Sequence, residues 1–155
     1  MAKRRNAKRR RISEGKKKLK SGGKSGKYLD AAKAAATKLV ESFRKRYGIK
    51  LEYKMDEVRV LDRELEKNYE ENTLVAEEIV WLGYYLGELL RRNVGGEYEF
   101  REDPGVLVLK CMEIVAFPIL KIRKALQDKR HGALESYVFL FAKKVSDKKL
   151  RSADK

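Results

Sequence analysis

Residues able to build a core are missing from the first 27 positions, where Ile12 and Leu19 are the only branched aliphatics. Gly, Ser, Asn and Ala fill most of the gaps between thirteen Lys or Arg residues and one acid, Glu14, so the segment carries +12 of the +15 formal charge. Such a stretch cannot bury enough surface to offset its ordering entropy and is expected to be a disordered basic N-terminal tail. Folding is then confined to the remaining ~128 residues, enough for one domain with a real core. We assign residues 1–27 to the tail and 28–145 to a single domain. The last ten residues, SDKKLRSADK, read as a flexible basic C-terminus. The domain is nearly neutral, so the basicity belongs to the two ends.

Hydrophobic residues at 43% and charged residues at 39% describe a soluble, highly charged chain. Its single cysteine, Cys111, rules out an intrachain disulfide and suits a reducing, cytoplasmic setting. The longest apolar run, around Ile79–Leu86, is interrupted by Gly83 and flanked by acids, so no membrane span is expected. The basic N-terminus has neither the apolar stretch of a secretory signal nor the amphipathic face of a transit peptide.

Hydrophobic period sets the element order. Leu29, Ala32, Ala36, Leu39, Val40, Phe43 and Tyr47 fall on one face of a helix, with Asp30 able to cap its start and Gly48 to stop it. After an extended connector, Ile49–Tyr53, a second helix opens at Asp56 with Val58, Leu61, Leu65 and Tyr69 inward. A third, over about 74–93 and capped by Asn72 or Thr73, is apolar nearly all round and should be the buried central helix. Gly83 and Gly87 share one of its faces, and their loss of helix propensity suggests close approach of another backbone, such as a sheet. The period then becomes two over Tyr98 and Phe100. Asp103-Pro104-Gly105 is a turn, and Val106–Leu109 and Met112–Phe117 follow as strands. Pro118 opens a fourth helix that breaks at His131-Gly132, and Leu134, Tyr137, Val138, Phe141 and Val145 recur helically in a fifth. The order ααα-βββ-αα predicts an α+β fold, with helices packed on a three-stranded antiparallel meander.

The stretches LGYYLGELLRRNVGGEYEF, VLVLK and VAFPILKIRKALQDKRHG resemble a family of small uncharacterised bacterial domains. That family carries a helix ending in Gly-Glu-x-Leu, a Gly-Gly-x-Trp step into a hairpin, and Phe-Pro before a basic helix. The matching positions are Gly87, Glu88, Leu90, Gly95, Gly96, Phe117, Pro118 and Lys124, with Tyr98 at the aromatic position. VLDREL, residues 60–65, resembles the short upstream helix of such domains. The resemblance spans about residues 50–140. It implies the same order of elements and no activity.

Function is written most plainly in the tail. Lys3, Arg4, Arg5, Lys8, Arg9, Arg10, Arg11, Lys16, Lys17, Lys18, Lys20, Lys24 and Lys27 can neutralise phosphates and release counterions, giving salt-sensitive binding with little sequence reading. Arg adds bidentate phosphate contacts and stacking on unpaired bases. Ser13, after Arg10 and Arg11, is a candidate for a basophilic kinase whose product would weaken such binding. In the domain, Lys121, Arg123, Lys124, Lys129 and Arg130, with Arg91 and Arg92, offer a secondary basic surface. Tyr84, Tyr85, Tyr98, Phe100 and Tyr137 form a possible base-stacking platform that reads more simply as core.

Glu88 follows Gly87 inside the most apolar helix. It is either an acid or base with a raised pKa or, more simply, an edge carboxylate paired with Arg91 or Arg92. His131 reads as a helix-terminal residue and Cys111 as a packed thiol, so a nucleophilic catalytic set has no evident members. One His and one Cys supply no thiolate or imidazole metal site, and no cofactor motif is present. The expectation is a non-enzymatic accessory protein anchored to RNA, in a ribosome or ribonucleoprotein, or to DNA. The alternative is a cytosolic adaptor or inhibitor whose globular domain binds a protein partner.

Overall fold

The computed structural model describes residues 26–103 and 105–153. Helix α1 covers 26–47, and a 3-10 turn, Met55–Glu57, runs into α2 (Val58–Glu71). Then come α3 (Ala76–Asn93), β1 (Glu97–Arg101), β2 (Val106–Cys111), β3 (Ile114–Ala116), α4 (Pro118–Asp128) and α5 (Ala133–Ala153). The strands form one antiparallel meander in the order β1-β2-β3, with Tyr98 opposite Leu109 and Leu109 opposite Ala116. This is the expected α+β architecture, ααα-βββ-αα.

The helical stripes read from the sequence are the buried ones. Ala32, Ala36, Leu39 and Phe43 of α1, Val58, Leu61, Leu65 and Tyr69 of α2, and Leu134, Val138, Phe141 and Val145 of α5 all enter one core. Helix α3 runs through its centre, with Leu82, Tyr85, Leu86, Leu89 and Leu90 wholly inaccessible. The sheet adds Tyr98, Leu109, Cys111 and Ala116 from its inner face. Two glycines let α3 sit there. A Cβ on Gly83 would lie 2.8 Å from the Cα of Ile119 in α4, and one on Gly87 would lie 2.9 Å from the Tyr98 hydroxyl. The backbone that approaches Gly83 is therefore a helix; only Gly87 faces the sheet, through a side chain.

Element ends depart from expectation where local chemistry offers another solution. Asp30 lies inside α1 and caps nothing at its start. Gly48 does end α1, at φ +66, with its N–H donating to the Arg44 carbonyl at 3.0 Å. Asn72 adopts the left-handed conformation that closes α2, and α3 begins after Val75 with no side-chain cap, so neither Asn72 nor Thr73 caps it. Met112 and Glu113 are not strand residues. Both have positive φ, as a tight two-residue hairpin turn requires, so β2 reaches Cys111 and β3 is only three residues long. Pro118 is the first residue of α4, as predicted, but α4 ends with Lys129 in the left-handed conformation. Pro104 of the predicted turn lies outside the described residues.

The largest correction is at the C-terminal end. Helix α5 continues to Ala153, past the boundary drawn at 145, so 146–153 extends the domain's last helix. Lys, Ala and Arg in this stretch are good helix formers, and the preceding turns, docked through Phe141 and Val145, spare it the cost of nucleation.

Candidate nucleic-acid interface

Of the tail cations, Lys27 alone is among the described residues; Lys3 to Lys24, and Ser13 with them, lie outside. Lys27 is exposed in the first turn of α1. The next residue, Tyr28, stacks on Phe100 of β1 with ring centroids 6.0 Å apart. Gly26 and Leu29 share a groove of about 350 Å³ with Arg91, Gly96, Glu97 and Tyr98. The tail thus joins the domain at the β1 edge of the sheet, beside Arg91.

Arg91 and Arg92 are already engaged by Glu88. Arg91 donates through Nε and Nη2 to the two Glu88 oxygens at 2.9 and 3.0 Å, and Arg92 Nε donates at 3.2 Å. The Tyr98 hydroxyl donates a further bond to Glu88 at 3.0 Å. Arg92 also lies over the Tyr53 ring, 3.7 Å from its centroid. Burial alone would push the Glu88 carboxyl up, but Arg91, then Tyr98 and Arg92, outweigh it and hold the group below its ordinary value. This overturns the raised-pKa reading. The carboxylate does pair with both arginines, but from a fully buried position and not from the edge. Half the positive charge of this pair of arginines is therefore spent inside the protein.

The α4 cations do not make one surface. Lys121, Lys124 and Arg130 lie close enough that burial, then the charges of Lys124 and Arg130, lower the Lys121 ammonium's pKa. Lys121 also approaches the Tyr137 ring, at 5.5 Å. Arg123 is exposed but two positions from Lys121, which places it about 160° around the helix. Lys129 lines a separate cleft of about 300 Å³ with Asn68, Glu70, Asn72 and Leu126. Only Lys121, Lys124 and Arg130 form a cluster.

No stacking platform is assembled from the aromatic set. Tyr85 and Tyr98 are core residues, and burial pushes both hydroxyls far up in pKa. Tyr84 and Tyr137 are half-buried, and Tyr137 accepts the Phe117 N–H at 2.7 Å. Phe100 is exposed but already faces Tyr28. His131 stands 3.3 Å from Glu66, at the surface, and Cys111 is buried. Among the described residues, no group of three or more His, Cys, Asp or Glu side chains is placed to hold a metal ion.

Sequence reasoning missed the end of α5. Its cations were counted, but as part of a flexible segment; as a helix they hold fixed positions against β3. The only signal available was the absence of Gly or Pro between Val145 and Ala153. No family model, curated protein or solved structure matches this chain.

Proposed function

We propose that this protein is a non-enzymatic accessory protein of a nucleic-acid complex, held to phosphate backbone by its N-terminal cations. The observation that carries the reading is the charge asymmetry: 27 residues hold +12, attached to a body close to neutral. A polycation of this density gains free energy by displacing condensed counterions from a polyanion, and that gain is sequence-independent. The Lys121, Lys124 and Arg130 cluster supports the same reading from within the domain. RNA in a ribosome or ribonucleoprotein, in the cytoplasm, is the favoured host, because Lys- and Arg-rich extensions can thread between folded RNA segments and Arg stacks on unpaired bases. DNA is the second.

The test is the full chain with Lys3, Arg4, Arg5, Lys8, Arg9, Arg10 and Arg11 replaced by Gln. Seven lost phosphate contacts should lower the slope of log affinity against log salt by up to ~6 on duplex DNA, or ~5 on a single strand. An unchanged slope on both would defeat the proposal.

One observation favours a protein partner instead. Phe139, Leu140 and Leu150 on α5 are 65%, 52% and 64% exposed, an unusual concentration of apolar surface on one helix. Under that adaptor reading, a partner recovered with the full chain would survive nuclease treatment and be lost on Phe139→Ser.

A further inference from the structure

A cleft of about 500 Å³ runs between β3 and the end of α5, lined by Ile114, Lys144, Asp147, Lys148, Arg151 and Ser152. Lys144, Lys148 and Arg151 are spaced i, i+4 and i+7, one row along a single helix face. Among the described residues none of the three is in an ion pair, and Asp147, the one acid of the cleft, pairs with none of them within 4 Å. The described lining therefore carries a net charge of +2. Contrast Arg91 and Arg92, whose shared carboxylate neutralises one charge at 2.9 and 3.2 Å. Three cations around one acid on a concave wall suit the entry of an anion.

We propose that this cleft is a second phosphate-backbone site, which takes a strand of the same nucleic acid that the N-terminal tail engages; it rests on the function proposed above. The row from Lys144 to Arg151 is about 10 Å long at the helical rise. Each strand of a duplex offers one phosphate per ~3.4 Å of axis, so three cations meet about three successive phosphates. Ser152, at the end of the row, donates its hydroxyl to the Lys148 carbonyl at 3.0 Å, so the phosphate contacts fall to the three cations. The site lies on β3, the edge strand opposite β1, where the tail joins beside Phe100 and Arg91. Two strand spacings, about 10 Å, separate β1 from β3. Phe100 pairs with Leu107 and Ile114 with Cys111, four residues further along β2, so a strand held by both would cross the narrow sheet on a diagonal. A membrane surface fits less well. Of the exposed apolar residues of α5, Phe139 and Leu150 lie three turns apart on one face, with Lys144 about 140° round the helix from Phe139, and only Leu140 lies beside the cations, about 20° from Arg151. Two of the three apolar anchors thus lie off the cationic face.

The experiment uses the full chain carrying Lys144→Gln, Lys148→Gln and Arg151→Gln together. A control removes three cations from α1 (Lys33→Gln, Lys38→Gln and Lys45→Gln), all exposed and none of them in the cleft lining. Binding to a single-stranded RNA 20-mer, a 20-base-pair DNA duplex and phosphatidylserine vesicles is followed against salt. The cleft variant should lose ~2 from the salt slope on RNA, or ~3 on duplex, with the control unchanged. Lys144→Glu alone should weaken binding in the same direction, which guards against a folding defect in the triple variant. Wild-type binding with a steep slope that the cleft variant retains would overturn this site and leave the proposed function standing. Equal losses in cleft and control variants would reduce the site to net charge and overturn it as well. Loss confined to vesicles would make it a lipid site instead, and a wild-type chain that binds neither nucleic acid would end both proposals.

Discussion

Glu88 is the residue whose removal should cost most. It is fully buried, yet its carboxylate accepts from Arg91, Arg92 and Tyr98. Breaking a buried ion pair by removing one partner leaves uncompensated charge, so Glu88→Gln should lower stability by roughly 3–5 kcal/mol. Tyr98→Phe deletes one hydrogen bond to a charged group and should cost about 1.5–3 kcal/mol. Urea denaturation of the two variants tests that order. The sign with pH follows from the direction of the shift. The folded carboxyl sits below its ordinary value, so its contribution is complete above about pH 4.3 and is lost as pH falls through the folded value. In Glu88→Gln the wild-type protein's loss of stability on acidification should be correspondingly smaller, as measured by melts between pH 3 and 7.

Tyr53 shows the same network from its other end. It takes φ +60, a backbone conformation that a bulky residue rarely adopts. Its N–H donates to the Tyr85 hydroxyl at 2.9 Å, its carbonyl accepts from Asn93 at 2.7 Å, and its ring stacks on Tyr85 with centroids 4.6 Å apart. Arg92 covers its other side. Four contacts over-determine the corner, which explains why no glycine is needed there.

Between elements, the decisive contacts are backbone approach and capping in trans. The Cβ of Gly83→Ala would meet the Ile119 Cα at 2.8 Å, so α3 and α4 must separate. Overpacking of that kind costs about 1–3 kcal/mol and outweighs the ~1 kcal/mol that Ala contributes to helix propensity. A lower urea midpoint is expected. Helix α5 begins without a capping residue of its own. Asp62 of α2 supplies the acceptor, taking the Leu134 and Glu135 N–H groups at 2.9 Å each. Asp62→Ala should cost about 1–2 kcal/mol, the value of a lost cap, and speed amide exchange at Leu134 and Glu135 first. Burial raises the Asp62 carboxyl against those two N–H bonds, so its influence on stability with pH opposes that of Glu88. Stability tied to Asp62 declines as pH rises from its ordinary value through the raised one.

At the scale of the whole molecule, the core of the described residues is drawn from positions between Ala32 and Val145, while the first 25 positions offer only Ile12 and Leu19 as branched aliphatics. Neutralising the seven Lys and Arg residues between positions 3 and 11 should therefore leave the melting temperature within about 2 °C, on a scale where 1 kcal/mol moves a domain of this size by several degrees. The same substitution should sharply weaken nucleic-acid binding. A large fall in melting temperature would mean that the tail packs on the domain. Among the described residues no helix is long and apolar enough to cross a membrane.

Element type and order were legible because a 3.6-residue or two-residue period survives in any context that buries one face. The stripes Val58–Leu61–Leu65–Tyr69 and Leu134–Val138–Phe141–Val145 are its direct readout. Segregation of charge into the first 27 residues was equally plain, since composition alone decides it. What neighbours decide was not. The ends of α2, α4 and α5 depend on which carbonyls and N–H groups find partners from other elements. Whether an arginine is a free cation depends on a carboxylate four residues or less away being turned inward by Tyr98. Gly83 announced a close approach but not the partner, and the α5 cations became a row only once the helix was seen to continue. Periodicity is a property of the chain by itself, whereas pairing, burial and the convergence of charges belong to the folded arrangement.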